Sequence, residues 1–223
     1  MTSVPLRHST LLSAIAGSAG IAMYLARSLW ELPEPIATAC YALFGPALVL
    51  AFYGLTPLLI AGRAPLSAQC GSLFGIIGGA VNMCFAVVQM CNLAVLRPAI
   101  RDTADAATRG ELQRILTGVF TVQNGLNITM DFFIDTAAFC WALSMWYHPR
   151  FGRVVSLLAP VLVGPHFVMK AWTFPVPPRE AGLFDAGPLV GLWFSVVSVM
   201  TWRAWWALHA ADRATRATPH SQT

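Results

Sequence analysis

The sequence predicts an all-α membrane protein: a single integral membrane domain built as a bundle of six transmembrane helices. Hydrophobic residues make up 57% of the 223 residues and charged residues only 11%, whereas a soluble domain contains about 25% charged residues. A helix needs ~20 residues to cross a bilayer core ~30 Å thick, and six apolar stretches have about this length or more. They lie at residues 11–30, 36–61, 70–96, 117–147, 154–172 and 187–208, and a short polar tail follows at 209–223.

The first two predicted helices differ in the residues that shape them. In the first, Ser13, Gly17 and Gly20 have the small-residue spacing that lets two helix backbones approach closely in lipid. The second contains Pro46 and Pro57. Each proline removes a backbone donor and predicts a bend unless neighbouring groups satisfy the freed carbonyl.

One face of the third predicted helix combines small and polar side chains. Such a face is unsuited to lipid, so we expect it to point into the bundle. Its members are Gly75, Gly78, Asn82, Ala86 and Gln89.

Two irregular stretches separate the later helices. Between Arg97 and Arg114 the composition becomes polar, and we predict a short surface helix that divides the chain into two halves of three helices. An inverted repeat is a hypothesis for such halves, but the two halves show no sequence match. The second stretch, Thr173 to Pro188, is rich in proline and is predicted to be an ordered surface loop, or a lid folded over the mouth of the bundle.

The fourth predicted helix contains the most informative pattern in the chain. Asn124, Asn127, Asp131 and Asp135 recur at spacings of three and four and therefore share one helix face. A carboxylate at the centre of a membrane helix costs roughly 2.5 to 3.5 kcal/mol on an insertion scale. This stripe is therefore predicted to face the interior of the bundle and to have a partner there.

The fifth predicted helix offers that partner. His166 and Lys170, the only lysine in the chain, are four residues apart and share a face. If the fourth and fifth helices turn near Pro149, a rise of ~1.5 Å per residue places Asp131 level with His166 and within a turn of Lys170. We therefore predict a buried ionic cluster.

Three functions remain open for this cluster. The first is a membrane module that binds or transports an ion, a proton or a small hydrophobic ligand. The alternatives are a structural or accessory subunit of a larger complex and an intramembrane enzyme that acts on a lipid or isoprenoid. The pattern identifies no cofactor, metal site or catalytic residue. The predicted ligand-binding residues are Asp131, Asp135, His166, Lys170, Asn127, Asn124, Gln89 and Asn82.

Charge and cysteine usage bear on partners and location. The net charge is +4, but the basic residues are scattered among short loops, so we expect a lipid bilayer as the partner rather than nucleic acid. Other membrane subunits or a second copy of the chain are alternative partners. The five cysteines predict no disulfide framework. Both termini are expected in the cytoplasm, with the chain in a bacterial inner membrane.

The order of features from Tyr41 to Trp202 resembles a family of uncharacterised bacterial six-helix membrane proteins, known as a domain of unknown function. The resemblance rests on Leu73-Phe74-Gly75-Ile76-Ile77-Gly78-Gly79-Ala80, on Asp131-Phe132-Phe133 and on the turn Tyr147-His148-Pro149-Arg150-Phe151-Gly152. The family's turn is proline-tryptophan-leucine-glycine, from which Phe151 and Arg153 depart. The resemblance implies a six-helix fold and no particular activity.

Overall fold

The computed structural model describes residues 3–217, which form helices and no strands. A π-helical turn, Asn92–Leu96, joins α3 to α4, and only Val163 separates α6 from α7, so the helices combine into six long segments. The helices are α1 Ser3–Leu29, α2 Glu34–Ile60, α3 Pro65–Cys91, α4 Arg97–Asp102, α5 Ala106–Trp146, α6 Gly152–Leu162, α7 Gly164–Thr173 and α8 Gly187–Ala217.

The predicted boundaries differ from the observed helices most at α5 and α8. The polar stretch between Arg97 and Arg114 contains a short helix with no buried residue, α4, as expected, but α4 continues from α3 through the π-helical turn. The rest of the stretch is not separate from the fourth span, because α5 begins at Ala106 and continues unbroken to Trp146. Asp105 starts this helix by accepting a hydrogen bond from the Thr108 backbone N–H at 2.8 Å. At the other end, α8 continues to Ala217 through most of the expected polar tail, while residues 218–223 of that tail lie outside the described range.

Within residues 3–217, five helical segments are long and apolar enough to cross a membrane. The segment containing α8 is not among them. Trp202 and Arg203 lie in the middle of α8 and lower its mean hydropathy, although its length of 31 residues is sufficient for a crossing. The five segments are Pro5–Leu29, Glu34–Ile60, Pro65–Asp102, Ala106–Trp146 and Gly152–Thr173.

The six segments close into a ring in which each one packs against two neighbours. The order around the ring is α1, α2, α3, α5, the α6–α7 segment and α8, which returns to α1. Phe52 of α2, Trp141 of α5 and Phe194 of α8 meet inside the ring. The Phe52 centroid lies 4.4 Å from that of Trp141 and 5.7 Å from that of Phe194. These aromatic side chains therefore join three helices across the bundle.

The small-residue face of α3 points inward, as expected. Gly75, Gly78, Asn82 and Ala86 are all buried. A Cβ added at Gly75 would overlap the Phe52 ring, and one added at Gly78 would lie 2.9 Å from the Ile134 side chain. Glycine at these positions lets α3 approach α2 and α5 closely.

Helices α1 and α8 run antiparallel along their whole length. Arg7 donates a hydrogen bond to Asp212 at 2.7 Å, Ser18 and Ser198 hydroxyls lie 3.1 Å apart, and the Tyr24 ring covers α8 near Gly191. Because Arg7 and Asp212 are in contact, the beginning of α1 and the end of α8 lie at the same end of the bundle.

Candidate functional site

Helices α5 and α7 bring their charged side chains into direct contact. His166 Nδ1 lies 2.7 Å from Asp135 Oδ2, and Lys170 donates a hydrogen bond to Asp131 Oδ2. The His166 Nε2 atom lies 3.8 Å from the same Asp131 oxygen. The four side chains therefore form a continuous series, Asp135, His166, Asp131 and Lys170, which we call the ionic cluster. The proximity predicted from the helical spacings is confirmed.

The local sequence explains why these side chains meet. Asp131 and Asp135 lie one turn apart on α5, and His166 and Lys170 lie one turn apart on α7, so each helix presents two polar groups on one face. The turn after Trp146 and the short α6 reverse the chain and place α7 beside α5. Lys170 lies in the last turn of α7, so the cluster is close to the end of the bundle at which the loop after Thr173 begins.

The cluster is almost completely buried. The Asp135 side chain has no exposed surface, and those of His166, Lys170 and Asp131 are 6%, 8% and 13% exposed. With His166 neutral, two carboxylates face one ammonium group; with His166 protonated, the charges balance. Buried charges are stable only when they are paired. The cluster therefore favours uptake of a proton, a cation or a cationic group.

One oxygen of the cluster has no hydrogen-bond partner within residues 3–217. Asp135 uses Oδ2 for His166, whereas its buried Oδ1 atom accepts no hydrogen bond from the described residues. A buried carboxylate oxygen is costly to leave unpaired. Asp135 lines the adjacent cavity, and a donor that reached this oxygen would satisfy it.

The four predicted amide residues have separate surroundings. Asn127 Nδ2 lies 3.4 Å from Asp131 Oδ2 and thus contacts the ionic cluster. Asn124 instead donates to Glu180 of the loop after α7, at 3.1 Å. Asn82 of α3 donates to the Met130 sulfur of α5 at 2.9 Å, and this partner is not a member of the cluster. Gln89 donates to the Tyr41 hydroxyl of α2 at 2.9 Å, so it pairs with a residue outside the cluster.

An apolar cavity occupies the interior of the ring and ends at the ionic cluster. Its volume is about 160 Å³, and it is lined by α1, α2, α5, α7 and α8. Most of its wall is aliphatic, aromatic or glycine. Its polar end consists of Asp131, Asp135, His166 and Tyr24. We call this space the apolar cavity.

A second, polar cavity lies on the other side of Asp131 and His166, beneath the loop of residues 174–186. Its volume is about 250 Å³, and we call it the polar chamber. Its charged lining includes Lys170, Arg179 and Asp185. Five residues line both cavities, and we call this shared boundary the neck: Tyr24, Met130, Asp131, His166 and Gly187.

The loop of residues 174–186 folds back over the polar chamber, as the lid hypothesis predicted. Glu180 accepts the hydrogen bond from Asn124, Pro178 is buried, and Phe174 packs against Phe132 with ring centroids 6.4 Å apart. The loop therefore contributes part of the chamber wall. Three lining residues, Tyr24, Arg179 and Asp185, were not predicted as part of the site, because their positions depend on how α1 and this loop pack.

No family model, curated protein or solved structure matches this chain. The resemblance to a six-helix family of unknown function thus stays a prediction. The function is argued below from the cluster and its two cavities.

Proposed function

We propose that the chain is a multi-pass protein of a bacterial inner membrane with six crossings and both termini in the cytoplasm. Five segments have the required length and hydropathy. The sixth, α8, lies along α1 from the Arg7–Asp212 contact to Gly191, so it occupies the same depth range as a helix that qualifies as a span. An even number of crossings agrees with the beginning of α1 and the end of α8 lying at one end of the bundle.

The function that this site supports best is the binding of an amphiphilic small molecule inside the bundle. The supporting observation is that one apolar cavity of about 160 Å³ ends on two carboxylates and an imidazole. An apolar lining with a few convergent polar groups is typical of small-molecule sites. The apolar part of the ligand occupies the cavity, and its polar group lies beside Asp131, His166 and Asp135.

The charge of the cluster defines the polar group that it accepts. Asp135 Oδ1 is an acceptor without a partner in the described range, and the two carboxylates outnumber the one ammonium group when His166 is neutral. In a low-dielectric interior, hydrogen bonds and charge pairs are stronger than in water. A ligand group that carries a positive charge or donates hydrogen bonds, such as an ammonium group or a hydroxyl, therefore fits this end of the cavity.

Binding is tested with a brominated single-chain probe, bromododecanol, which quenches tryptophan fluorescence on contact. Trp141 lines the apolar cavity. We expect saturable quenching of the protein in detergent micelles, which unbrominated dodecanol reverses by competition. Trp141→Phe should remove most of the saturable component.

The cavity itself is tested with Gly20→Leu. Gly20 lines the cavity, and a Cβ at this position meets its nearest atoms only at 3.9 Å, so the longer side chain extends into the cavity without overlapping the backbone. The matched control is Gly118→Leu, where a Cβ meets nothing within 4 Å. Gly20→Leu should abolish saturable quenching and Gly118→Leu should preserve it. Equal quenching in both variants, or no saturable quenching in the wild type, would refute ligand binding and favour the accessory-subunit hypothesis.

Proton transfer is a second candidate, and one observation favours it. His166 lies between Asp135, which lines the apolar cavity, and Asp131, which lines both spaces. An imidazole can accept a proton on one nitrogen and release one from the other. Proton flux into liposomes containing a pH-sensitive dye should then disappear in His166→Gln while Gly118→Leu retains it. Unchanged flux in His166→Gln would exclude this role.

A further inference from the structure

We propose that the polar chamber binds a zwitterionic headgroup, so that the ligand is a single-chain zwitterionic amphiphile with its chain in the apolar cavity. This inference rests on the proposed function, because it assigns the chemical class of the ligand to the same pair of cavities. It adds a subsite and two specificity residues, Arg179 and Asp185. The two cavities meet at the neck residues Asp131 and His166, so we place one elongated molecule past these side chains, with a part in each cavity.

The charges of the chamber distinguish it from the ionic cluster. Lys170 is paired with Asp131, so neither is fully available to a ligand. Arg179 and Asp185 also line the chamber, and neither forms an ion pair with any residue in the range 3–217. The chamber therefore presents one unpaired cation and one unpaired anion. A headgroup that has a phosphate and an ammonium group complements both, whereas a headgroup with a single charge leaves one of them without a counter-charge.

The backbone restricts the two segments that carry these side chains. Asp185 Oδ1 accepts a hydrogen bond from the Gly187 backbone N–H at 2.9 Å, which fixes the carboxylate at the start of α8. Arg179 follows Pro177 and Pro178 and precedes Glu180, which Asn124 holds at 3.1 Å. Prolines restrict the backbone of the unbound loop. Less backbone entropy is then lost when the headgroup binds, while the exposed Arg179 side chain is ordered by the ligand.

The test compares four probes that have the same bromododecyl chain and different headgroups: phosphocholine, trimethylammonium, methyl phosphate and maltoside. Affinity is measured from saturable quenching of tryptophan fluorescence in the full-length wild-type protein. A charge pair at a partly exposed site is worth up to about a fivefold change in affinity. We expect the phosphocholine probe to bind about fivefold more tightly than either singly charged probe. At high salt, the preference for each of the three charged probes over the maltoside probe should weaken.

Two variants separate the charges. Arg179→Gln should weaken the phosphocholine and methyl phosphate probes about fivefold and leave the trimethylammonium and maltoside probes unchanged. Asp185→Asn keeps the oxygen that accepts from Gly187 and should weaken the phosphocholine and trimethylammonium probes instead. The matched controls are Arg114→Gln and Glu111→Gln, which remove exposed charges near the start of α5.

The outcomes distinguish this inference from the function on which it rests. Equal affinity of the four probes, tightest binding of a singly charged probe, or unchanged preferences in both variants would overturn the zwitterionic subsite while leaving amphiphile binding intact. Absence of saturable quenching with every probe would overturn the proposed function and the inference together.

Discussion

The replacement Asp131→Asn tests whether the ionic cluster holds α5 and α7 together. The substitution keeps the size of the side chain and removes its charge. Lys170, only 8% exposed, then loses its counter-charge. Breaking a buried ion pair by removing one partner costs roughly 3 to 5 kcal/mol. Because Asp131 is 13% exposed, we expect a loss of free energy of unfolding near the lower limit, about 3 kcal/mol, measured by denaturant titration in mixed micelles.

The matched experiment is a double-mutant cycle with Lys170→Met. This change alone leaves Asp131 with His166 at 3.8 Å as its remaining basic neighbour. The double variant has no unpaired charge at either position, so it should be more stable than the sum of the single losses predicts, with a coupling of roughly 0.5 to 3 kcal/mol. Additive losses, or a stable Asp131→Asn protein, would refute the idea that this pair stabilises the contact between the helices.

Three further predictions concern positions away from the cluster. Burial lowers the pKa of His148 below its ordinary value of 6.5, and Nε2 lies 3.1 Å from the Leu58 carbonyl. The unfolded chain then binds a proton more readily than the folded one. The free energy of unfolding should therefore fall as pH decreases below about 6.5. Thermal melts across this range should show a smaller fall in His148→Gln. Gly75→Ala should cost about 1 to 3 kcal/mol, because the new methyl group overlaps Phe52, whereas Gly118→Ala should be neutral or stabilising in the same unfolding assay. Reporter fusions at the two termini should both be active in the cytoplasm, and activity of only one would exclude an even number of crossings.

The positions of the helices and the ionic cluster could be predicted from the sequence because both depend on local periodicity. The apolar stretches are as long as a membrane crossing, and the four-residue spacings of Asp131 with Asp135 and of His166 with Lys170 place each pair on one face. A charge in an apolar helix needs a partner, and few candidates exist in a chain with one lysine. These constraints together identify the contact between α5 and α7.

The remaining part of the site depends on tertiary packing that periodicity does not encode. Tyr24 reaches the neck only because α1 closes the ring against α8, and Arg179 and Asp185 line the chamber only because the loop folds back. The spacing of Gln89 correctly indicated an inward-facing side of α3, but not that Tyr41 of α2 would be its partner. A polar stripe shows that a partner exists and does not specify which neighbouring helix provides it.

The extent of α5 shows a different limit. The polar segment before Arg114 was predicted to be separate from the fourth span because its composition changes abruptly there. Alanine, arginine, glutamate and leucine nevertheless favour a helix in water as well as in lipid, and the Asp105 cap starts that helix well before the apolar stretch. Hydropathy therefore locates the apolar part of a helix, whereas capping residues define where the helix begins.

Photo-crosslinking provides the most direct test of amphiphile binding inside the bundle. A single-chain amphiphile with a diazirine at the middle of its chain is bound to the protein and activated, and the labelled residues are identified by peptide mass spectrometry. Leu48 and Val197 line the apolar cavity, whereas Leu50 and Val199, two residues further along the same helices, are 42% and 59% exposed on the outside. We predict labelling of Leu48 and Val197 that excess unlabelled amphiphile suppresses and that Gly20→Leu abolishes. Labelling confined to Leu50, Val199 and other outward residues, insensitive to competition, would contradict a ligand site within the ring.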